Sequence, residues 1–171
     1  MTQPLENPFA DPASERDDVR RFRSRIGGNV SLWTTGSGAD RAGLTVSSLM
    51  VAQGLPGHVV GLLNPESTLA EALSPGSGLV VQLLEWEDRN LSEAFAGLLP
   101  APGGAFRMAE WAETTWGPRL STADSWLGAR VERVEELGFS LLVDAAIEHL
   151  EVGELARPLV HRRGRYVRPD R

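Results

Sequence analysis

The chain has 171 residues, of which 42% are hydrophobic and 23% charged, which suits one folded domain and argues against disorder throughout. Its 23 acidic and 17 basic residues give a net charge of −6, which argues against a nucleic-acid partner because phosphate binding needs a basic face. There is no cysteine, which excludes disulfides and thiolate chemistry, and no lysine, which excludes Schiff-base and P-loop chemistry.

The first residues, 1–13, are polar and contain three prolines, so we expect a flexible tail there and one domain over residues 14–168. The tail lacks the apolar centre of a signal peptide, and no run of about 18 apolar residues that could span a membrane occurs in the chain. We therefore expect a cytoplasmic protein without a membrane partner.

A helix is predicted to follow the tail. Ser14 can cap its first turn, acidic residues precede basic ones as the helix dipole favours, and the two glycines at 27–28 end it. Val19, Phe22 and Ile26 recur at helical spacing and give this helix an apolar face.

Short strands separated by turns are predicted next. Residues 29–35 alternate apolar and polar side chains and then reach glycines and Asp40, which is typical of a hairpin that leads into a second strand at 43–51. A third strand is predicted at 58–63, and a helix capped by Asn64 directly after it.

The second half of the chain continues this pattern. Many short strands with few long helices predict a mainly β fold, a barrel with helical insertions. The predicted elements are a strand at 78–84, a helix at 88–99, a long loop at 100–123, strands at 125–133 and 139–150, and a terminal segment at 158–167.

Most catalytic signatures are missing from the sequence. His58, His149 and His161 lack metal-ligand spacing to one another or to nearby carboxylates, so no metal site is predicted. No nucleophile motif occurs, and the glycines at 36–38 lie in a hairpin turn and open no helix, so there is no dinucleotide fingerprint. Hydrolytic chemistry has little support.

A run of polar residues interrupts the apolar second strand. Thr45, Ser47 and Ser48 surround Val46. Hydroxyl side chains pack poorly on the face of a β-sheet unless polar atoms lie against them. Two interpretations are open: an edge strand that faces water, or a binding surface for a polar ligand.

The helix start after the third strand is a second candidate for binding. Backbone N–H groups at such a terminus, with the hydroxyls of Ser67 and Thr68 near Asn64, favour an anion, although the same residues serve any helix as a cap. Together the two elements could hold a phosphorylated, flat ligand, with Trp33 or Phe95 as an apolar wall.

These motifs, in this order, resemble the flavin reductase-like proteins, which have the FMN-binding split-barrel fold. The resemblance covers nearly the whole chain, and the order and spacing of the motifs make it more specific than any one of them. The motifs are VSLWTT at 30–35, GLTVSS at 43–48, LNPEST at 63–68, LSEAFAG at 91–97 and PLVHRRGRY at 158–166.

The resemblance implies a homodimer of split β-barrels that binds FMN or FAD near the dimer interface. It further implies an oxidoreductase that takes hydride from NAD(P)H and supplies reduced flavin to a partner such as a flavin-dependent monooxygenase. The cofactor-binding residues that it implies are Thr45, Val46, Ser47 and Ser48 at the ring and ribityl chain, Asn64, Ser67 and Thr68 at the phosphate, and Phe95 lining the site.

The chain departs from the family pattern at three places, one of which is the end of the strand motif, where the family tends to have further serines and this chain has Val51 and Gln53. Active reductases usually carry Gly-Asp-His before a late strand, where this chain has Gly138-Phe139-Ser140, and the family often has an Arg in the phosphate turn that is missing here. A non-catalytic flavin-binding or carrier protein is therefore the alternative to a reductase. Because hydride transfer between stacked rings needs no acid or base from the protein, we assign no catalytic residue.

Charge is unevenly distributed along the chain. Residues 157–171 contain six Arg and one Asp, a local charge of +5, which leaves −11 for residues 1–156. We expect a solvated basic tail, with docking of an anionic cofactor or a neighbouring subunit as the alternative.

Overall fold

The computed structural model describes residues 13–170, with side chains from Asp18 onward. The predicted tail, apart from Ala13, and the side chain of Ser14 lie outside this description. The helices are α1 (Ala13–Ile26), α2 (Thr68–Ala72) and α3 (Arg89–Phe95). The strands are β1 (Gly28–Asn29), β2 (Ser31–Thr35), β3 (Ala42–Val46), β4 (Leu49–Ala52), β5 (His58–Leu63), β6 (Gly78–Leu83), β7 (Trp111–Thr114), β8 (Gly117–Leu120), β9 (Trp126–Leu137), β10 (Ser140–Glu151), β11 (Val160–Arg162) and β12 (Arg165–Val167).

Seven strands form one antiparallel sheet in the order β3-β2-β6-β9-β10-β5-β4. A flat sheet of this width would hold its edge strands about 29 Å apart, because neighbouring strands lie about 4.8 Å from each other. Yet β3 ends at Val46 and β4 begins at Leu49, and three Cα–Cα steps span at most about 11 Å. The sheet therefore curls until its edges meet, which confirms the predicted mainly β, split-barrel fold.

The interior of the barrel is filled by an apolar cluster around Trp33. Trp33 is fully buried on β2, and its ring reaches β5, where a side chain on Gly61 would come within 2.5 Å of Trp33 Cη2. Leu69 and Leu73 belong to the same cluster and anchor α2 to the barrel. Burial of each of these leucines stabilises the fold by about 2 kcal/mol.

A second apolar cluster lies on the outer face of the sheet. Leu32 points to this side because neighbouring residues of a strand face opposite ways, and it meets Leu91 and Phe95 of α3. Leu159, just before β11, completes the cluster and is fully buried. The outer cluster therefore holds α3 and the C-terminal segment against β2.

The C-terminal segment is folded, so the expected solvated tail is wrong. β11 and β12 form a hairpin, and β11 also pairs with β1. Leu159 carbonyl accepts a hydrogen bond from Val30 N at 2.8 Å, which ties the segment to the sheet. The charged side chains of Arg162, Arg163 and Arg165 stay exposed on this hairpin.

Two predicted elements have different boundaries. The expected strand at 43–51 is divided into β3 and β4, because the chain turns at Ser47 and Ser48 to pass from one sheet edge to the other. The helix expected at 88–99 is limited to α3, since Gly97 follows with φ +75°, a left-handed conformation that ends a helix.

The region expected to be a loop at 100–123 contains a hairpin. β7 and β8 pair antiparallel, with Trp111 opposite Leu120 at one end and Thr114 opposite Gly117 at the turn. Trp116, in the turn of this hairpin, lays its ring against Gly128 of β9, where any side chain would collide with it. The prediction is wrong because the hairpin is fixed by this tertiary contact and its own sequence has a weak strand pattern.

The apolar face predicted for α1 does not enter either cluster. Val19, Phe22 and Ile26 are 71%, 73% and 70% exposed. No helix within residues 13–170 is long and apolar enough to cross a membrane.

Candidate functional site

The corner between β3 and β4 is fixed by Ser48. Its carbonyl accepts a hydrogen bond from Leu62 N at 3.1 Å, and its hydroxyl donates to Leu62 O at 2.8 Å. Ser47 beside it is exposed, and its hydroxyl has no hydrogen-bond partner among the described residues. Among the described strands β3 pairs only with β2, so the backbone groups on its other edge are not used by the sheet.

Asn64 begins a turn, and the helix cap predicted there is wrong. The Asn64 side-chain oxygen accepts a hydrogen bond from Glu66 N at 3.0 Å, and the Ser67 hydroxyl donates to Asn64 O at 2.7 Å. Ser67 is the cap of α2, since its Oγ accepts from Ala70 N at 3.1 Å. The Asn-Pro pair initiates turns as readily as helices, which explains the error. The five residues of α2 are too few to supply the expected helix-terminus anion site, so any binding here depends on side chains.

The structure brings the two predicted binding elements together. Leu62 is bonded to Ser48 and lies two residues before Asn64, so the β3–β4 corner adjoins the turn at 64–67. Ser47, Asn64 and Thr68 are all exposed in this region. Residues distant in sequence thus provide hydroxyl and amide groups at one place on the surface.

A cleft of about 290 Å³ lies against the outer face of β3. Arg41, Gly43, Thr68, Phe95 and Phe106 are among the residues that line it. Two of the predicted site residues, Thr68 and Phe95, therefore share one cleft, and the Phe95 ring is part of its apolar lining.

Two other predicted contacts point into the barrel. Trp33 is fully buried and its Nε1 donates to Ser31 Oγ at 2.9 Å, so Trp33 as an apolar wall for a ligand is wrong. Val46 is 2% exposed in the same interior cluster, which leaves only its backbone for a ligand. Its carbonyl already accepts a hydrogen bond from Ser31 Oγ at 2.6 Å.

Thr45 is held by a network that the sequence did not reveal. Its hydroxyl donates to Ser92 O at 2.6 Å, and the Ser92 hydroxyl bonds with the hydroxyl of Tyr166 at 2.9 Å. Burial raises the pKa of Tyr166 above its ordinary value of 10.0, and the hydrogen bond with Ser92 partly opposes this shift. The network joins β3, α3 and β12 and fixes the outer side of β3. Ser92 and Tyr166 lie within the family motifs, but nothing in the sequence marks them as partners.

The β9–β10 turn lies at the same end of the sheet. Leu141 of β10 pairs with Leu63, the residue before Asn64. Gly138 adopts φ +57°, which the tight turn requires, and Phe139 is 48% exposed. The position of the missing Asp-His pair therefore adjoins the turn that begins at Asn64.

A charged cluster occupies the opposite end of β5. His58 Nδ1 lies 2.6 Å from Asp144 Oδ1, and Arg133 Nη2 lies 3.4 Å from Asp144 Oδ2. The hydrogen bond with Asp144 is the main cause that raises the pKa of His58 above its ordinary value of 6.5. Asn64 lies six positions after His58 along β5, about 20 Å at 3.3 Å per residue, so the cluster is remote from the candidate site. No group of His, Asp and Glu side chains within residues 18–170 could hold a metal ion.

Comparison with known protein families matches residues 23–169 to the Flavin reductase like domain. The match covers most of the chain. The chain belongs to the flavin reductase-like family. This flavin reductase-like chain carries the turn, the corner and the cleft described above within the matched residues.

Individual relatives agree with this membership. FMN reductase (NADH) RutF of Serratia proteamaculans is 29% identical over 112 residues, which span 66% of this chain and 63% of that protein. The 4-hydroxyphenylacetate 3-monooxygenase reductase component of Pseudomonas aeruginosa is 24% identical over 144 residues, 83% of this chain and 85% of that one. The structure of the NADH:FAD oxidoreductase SgcE6 of Streptomyces globisporus C-1027 superposes with a TM-score of 0.80 at 20% identity, over 98% of each chain, and shares the fold.

The donor and acceptor groups of this flavin reductase-like chain fit a flavin. The pyrimidine edge of a flavin ring carries one N–H and two carbonyl groups, which match hydroxyls and the unused backbone edge of a strand. Ser47 and the outer edge of β3 supply such groups. The Thr68 hydroxyl and the Asn64 side-chain amide are exposed beside them and can donate hydrogen bonds to an anion.

Proposed function

We propose that the protein is an NAD(P)H-dependent flavin reductase that binds FMN or FAD at the β3–β4 corner and the turn at 64–67. The observation that carries the proposal is the junction of Ser48 with Leu62, which adjoins exposed Ser47 and Asn64. The membership of the flavin reductase-like family supports the reaction class. The name of the Serratia relative supports NADH and FMN.

A bound flavin supplies the acceptor for a hydride from the nicotinamide. The protein's part is to position and shield the rings, since transfer between stacked rings needs no protein acid or base. Hydrogen bonds from Thr45 to Ser92 and from Ser48 to Leu62 fix the end of β3 and the corner after it, which serve this purpose. Asn64 and Thr68 anchor the phosphate in this proposal.

The proposal is tested by mixing the purified protein with FMN or FAD and NADH or NADPH and following flavin absorbance without oxygen. We expect bleaching faster than in a protein-free control with at least one pair. No acceleration with any of the four pairs, in a protein whose circular dichroism shows a folded β structure, contradicts the reductase activity.

The site assignment predicts the effect of removing its exposed hydroxyls. Ser47→Ala with Thr68→Ala removes two donors, each worth about 1 kcal/mol, so flavin affinity should fall by roughly tenfold to thirtyfold. Fluorescence titration with FMN measures this. The matched control is Ser121→Ala, an exposed serine after β8 that should leave affinity unchanged. Equal affinity of the double variant and the wild type contradicts the assignment.

A non-catalytic flavin-binding protein is the second candidate. It is favoured by Phe139 and Ser140, which occupy the turn where active relatives have Asp and His. It predicts a yellow complex whose spectrum NADH does not change under anaerobic conditions, whereas the reductase predicts rapid bleaching of the same complex.

We further propose a homodimer that acts in the cytoplasm and passes reduced flavin to a monooxygenase. The name of the Pseudomonas relative supports such a partner. Exposed apolar side chains on the edge strand β4 and the loop after it support self-association, with Met50 75%, Val51 59% and Leu55 fully exposed. The use of NAD(P)H in the proposed reaction supports the cytoplasmic location.

A further inference from the structure

His161 of β11 lies near the corner between β3 and β4. It pairs with Gly28 of β1, and paired residues of antiparallel strands have their Cβ positions about 5 Å apart on the same face. On that face, Ser47 O lies 3.6 Å from the position that a Cβ on Gly28 would take. The Cβ of His161 is therefore within about 9 Å of Ser47 O, and the imidazole extends from the same face.

The other neighbour of His161 also leads to β3. Tyr166 of β12 pairs with His161, and the two rings meet edge to face with centroids 5.8 Å apart. The Tyr166 hydroxyl bonds with the Ser92 hydroxyl at 2.9 Å, and Ser92 O accepts from the Thr45 hydroxyl at 2.6 Å. Ser47 follows Thr45 by two positions. Two separate paths of contacts thus place the imidazole of His161 near the end of β3.

The imidazole nitrogens of His161 are unused within the part of the chain that the structure describes. Neither nitrogen has a hydrogen-bond or ion-pair partner there, although the residue is half-buried and its ring packs on Tyr166. An imidazole has one N–H donor when neutral and two when charged, so His161 brings unused donors to the corner at Ser47. The other two histidines of the chain are each bonded to a carboxylate: His58 to Asp144 and His149 to Glu151.

The position of His161 indicates which part of a flavin it meets. In the proposed site, Ser47 and the outer edge of β3 face the pyrimidine part of the ring, whose carbonyl oxygens accept hydrogen bonds. Hydride transfer breaks the C4–H bond of the nicotinamide and delivers two electrons and one proton to the flavin, which leaves one negative charge on this pyrimidine part. A hydrogen bond to an ionised acceptor is roughly twice as strong as one to a neutral acceptor. An N–H donor at this place therefore favours the reduced flavin over the oxidised one.

We propose that His161 contacts the flavin at the β3–β4 corner and donates a hydrogen bond to its pyrimidine edge, more strongly in the reduced state. The inference rests on the proposed flavin site, because Ser47 defines where the ring lies. It gives the site an imidazole even though Phe139 and Ser140 stand where active relatives have Asp and His. It also gives the folded C-terminal hairpin a part in flavin binding.

The first measurement observes the imidazoles directly. The chain has three histidines, so the NMR signals of their rings are assigned with His58→Gln, His149→Phe and His161→Phe. Addition of oxidised FMN should shift the His161 signal and leave the other two in place. His58 is remote from the site, and His149 lies eight positions after Leu141 along β10, about 26 Å at 3.3 Å per residue. A wild type that binds FMN without a shift of the His161 signal overturns the inference, as does a shift with NADH alone.

The second measurement compares affinities for the two redox states of FMN. His161→Phe keeps a ring beside Tyr166 and removes both nitrogens, His161→Gln keeps an N–H donor, and His149→Phe is the matched control. Each protein is titrated with oxidised FMN and, without oxygen, with dithionite-reduced FMN, and quenching of tryptophan fluorescence is followed. Circular dichroism and thermal melting of each variant show that it folds.

His161→Phe should weaken binding of oxidised FMN about fivefold and binding of reduced FMN about thirtyfold, whereas His161→Gln should recover most of both losses. Equal weakening of the two redox states overturns the preference for reduced flavin. Affinities of His161→Phe that match those of His149→Phe in both states overturn the contact itself. Failure of the wild type to bind FMN in either state would instead contradict the proposed function.

Discussion

Two buried polar groups depend on the hydroxyl of Ser31. Ser31 Oγ donates to Val46 O at 2.6 Å and accepts from Trp33 Nε1 at 2.9 Å, and Ser31 is completely buried. The residue therefore links β2 to β3 just before the β3–β4 corner and sets the position of the ring at the centre of the barrel.

Ser31→Ala should lower the free energy of unfolding by about 2 kcal/mol. The change leaves the Trp33 indole N–H and the Val46 carbonyl without this partner in the interior, and an unsatisfied buried group costs about 1–3 kcal/mol. Urea denaturation followed by tryptophan fluorescence measures the loss. Ser37→Ala, an exposed serine with no side-chain cap bond, is the control and should stay within about 0.5 kcal/mol of the wild type. Similar values for both variants contradict the role of Ser31.

At the scale of single residues, the sequence predicts which side chains are unusual better than it predicts their hydrogen-bond partners. The sequence identifies the hydroxyls of Thr45, Ser47 and Ser48 as unusual on an apolar strand. It does not show that Thr45 is bound to Ser92, 47 positions away, or that Ser48 is bound to Leu62. Such pairings depend on how distant segments pack, so Ser47 cannot be distinguished from its bonded neighbours without the structure.

Among the elements, β5 and β10 are joined by an ionic contact as well as by their backbone ladder. His58 of β5 lies against Asp144 of β10. Two residues of β9 complete the cluster: Glu132, whose Oε2 lies 4.0 Å from His58 Nε2, and Arg133, which contacts Asp144. Asp144 and Glu132 favour the charged imidazole, whereas Arg133 and partial burial oppose it. The balance raises the pKa of His58 above 6.5.

This contact should make part of the stability depend on pH. Because the folded-state pKa of His58 is raised, its contribution is fully present below pH 6.5 and is lost as the pH rises through the folded-state pKa. The difference in unfolding free energy between the wild type and His58→Gln should therefore be larger at pH 6 than at pH 8.5. An NMR titration of the imidazole gives the pKa directly. A difference that does not change with pH contradicts the coupling.

The β9–β10 turn offers a direct test of what limits turnover. Changing Phe139→Asp and Ser140→His together restores the triplet of active family members beside Asn64. We expect kcat/KM for NADH to rise by about tenfold, because an imidazole at this place adds a hydrogen bond that positions the nicotinamide against the flavin. Stopped-flow reduction of the flavin measures this, with Phe139→Ala and Ser140→Ala as the control pair. No gain over that control means that the turn does not limit hydride transfer.

Elements were predictable where the local pattern decides them. β5 matches its predicted bounds, since its Val- and Leu-rich run lies between turn signals. The hairpin of β7 and β8 was not predictable, because Trp116 is held by Gly128 of a later strand. Asn64 shows a third case, in which one residue type suits both a helix cap and a turn and only the surrounding chain selects between them.

For the whole molecule, barrel closure follows from connectivity. Two residues connect the opposite edges of a seven-stranded sheet, and this short connection forces the curl that places Ser48 beside Leu62. The sequence does not show this constraint, because 43–51 has the pattern of one continuous strand. The resemblance of the motifs to a known family made the overall fold predictable where the local pattern did not.

Closure leaves β4 as an edge strand with apolar side chains in water. Met50 and Val51 of β4 and Leu55 in the loop after it are exposed, and an uncovered apolar edge favours pairing with a second copy.

If this face is the dimer contact, the wild type should have twice the chain mass of 18.5 kDa by light scattering after size exclusion. Val51→Glu places a charge in the contact and should shift the population to monomer at micromolar concentration. Val152→Glu, on another exposed apolar position after β10, is the control and should remain dimeric. A monomeric wild type, or a Val51→Glu variant that dimerises as tightly as the control, contradicts the assignment of β4 to the interface.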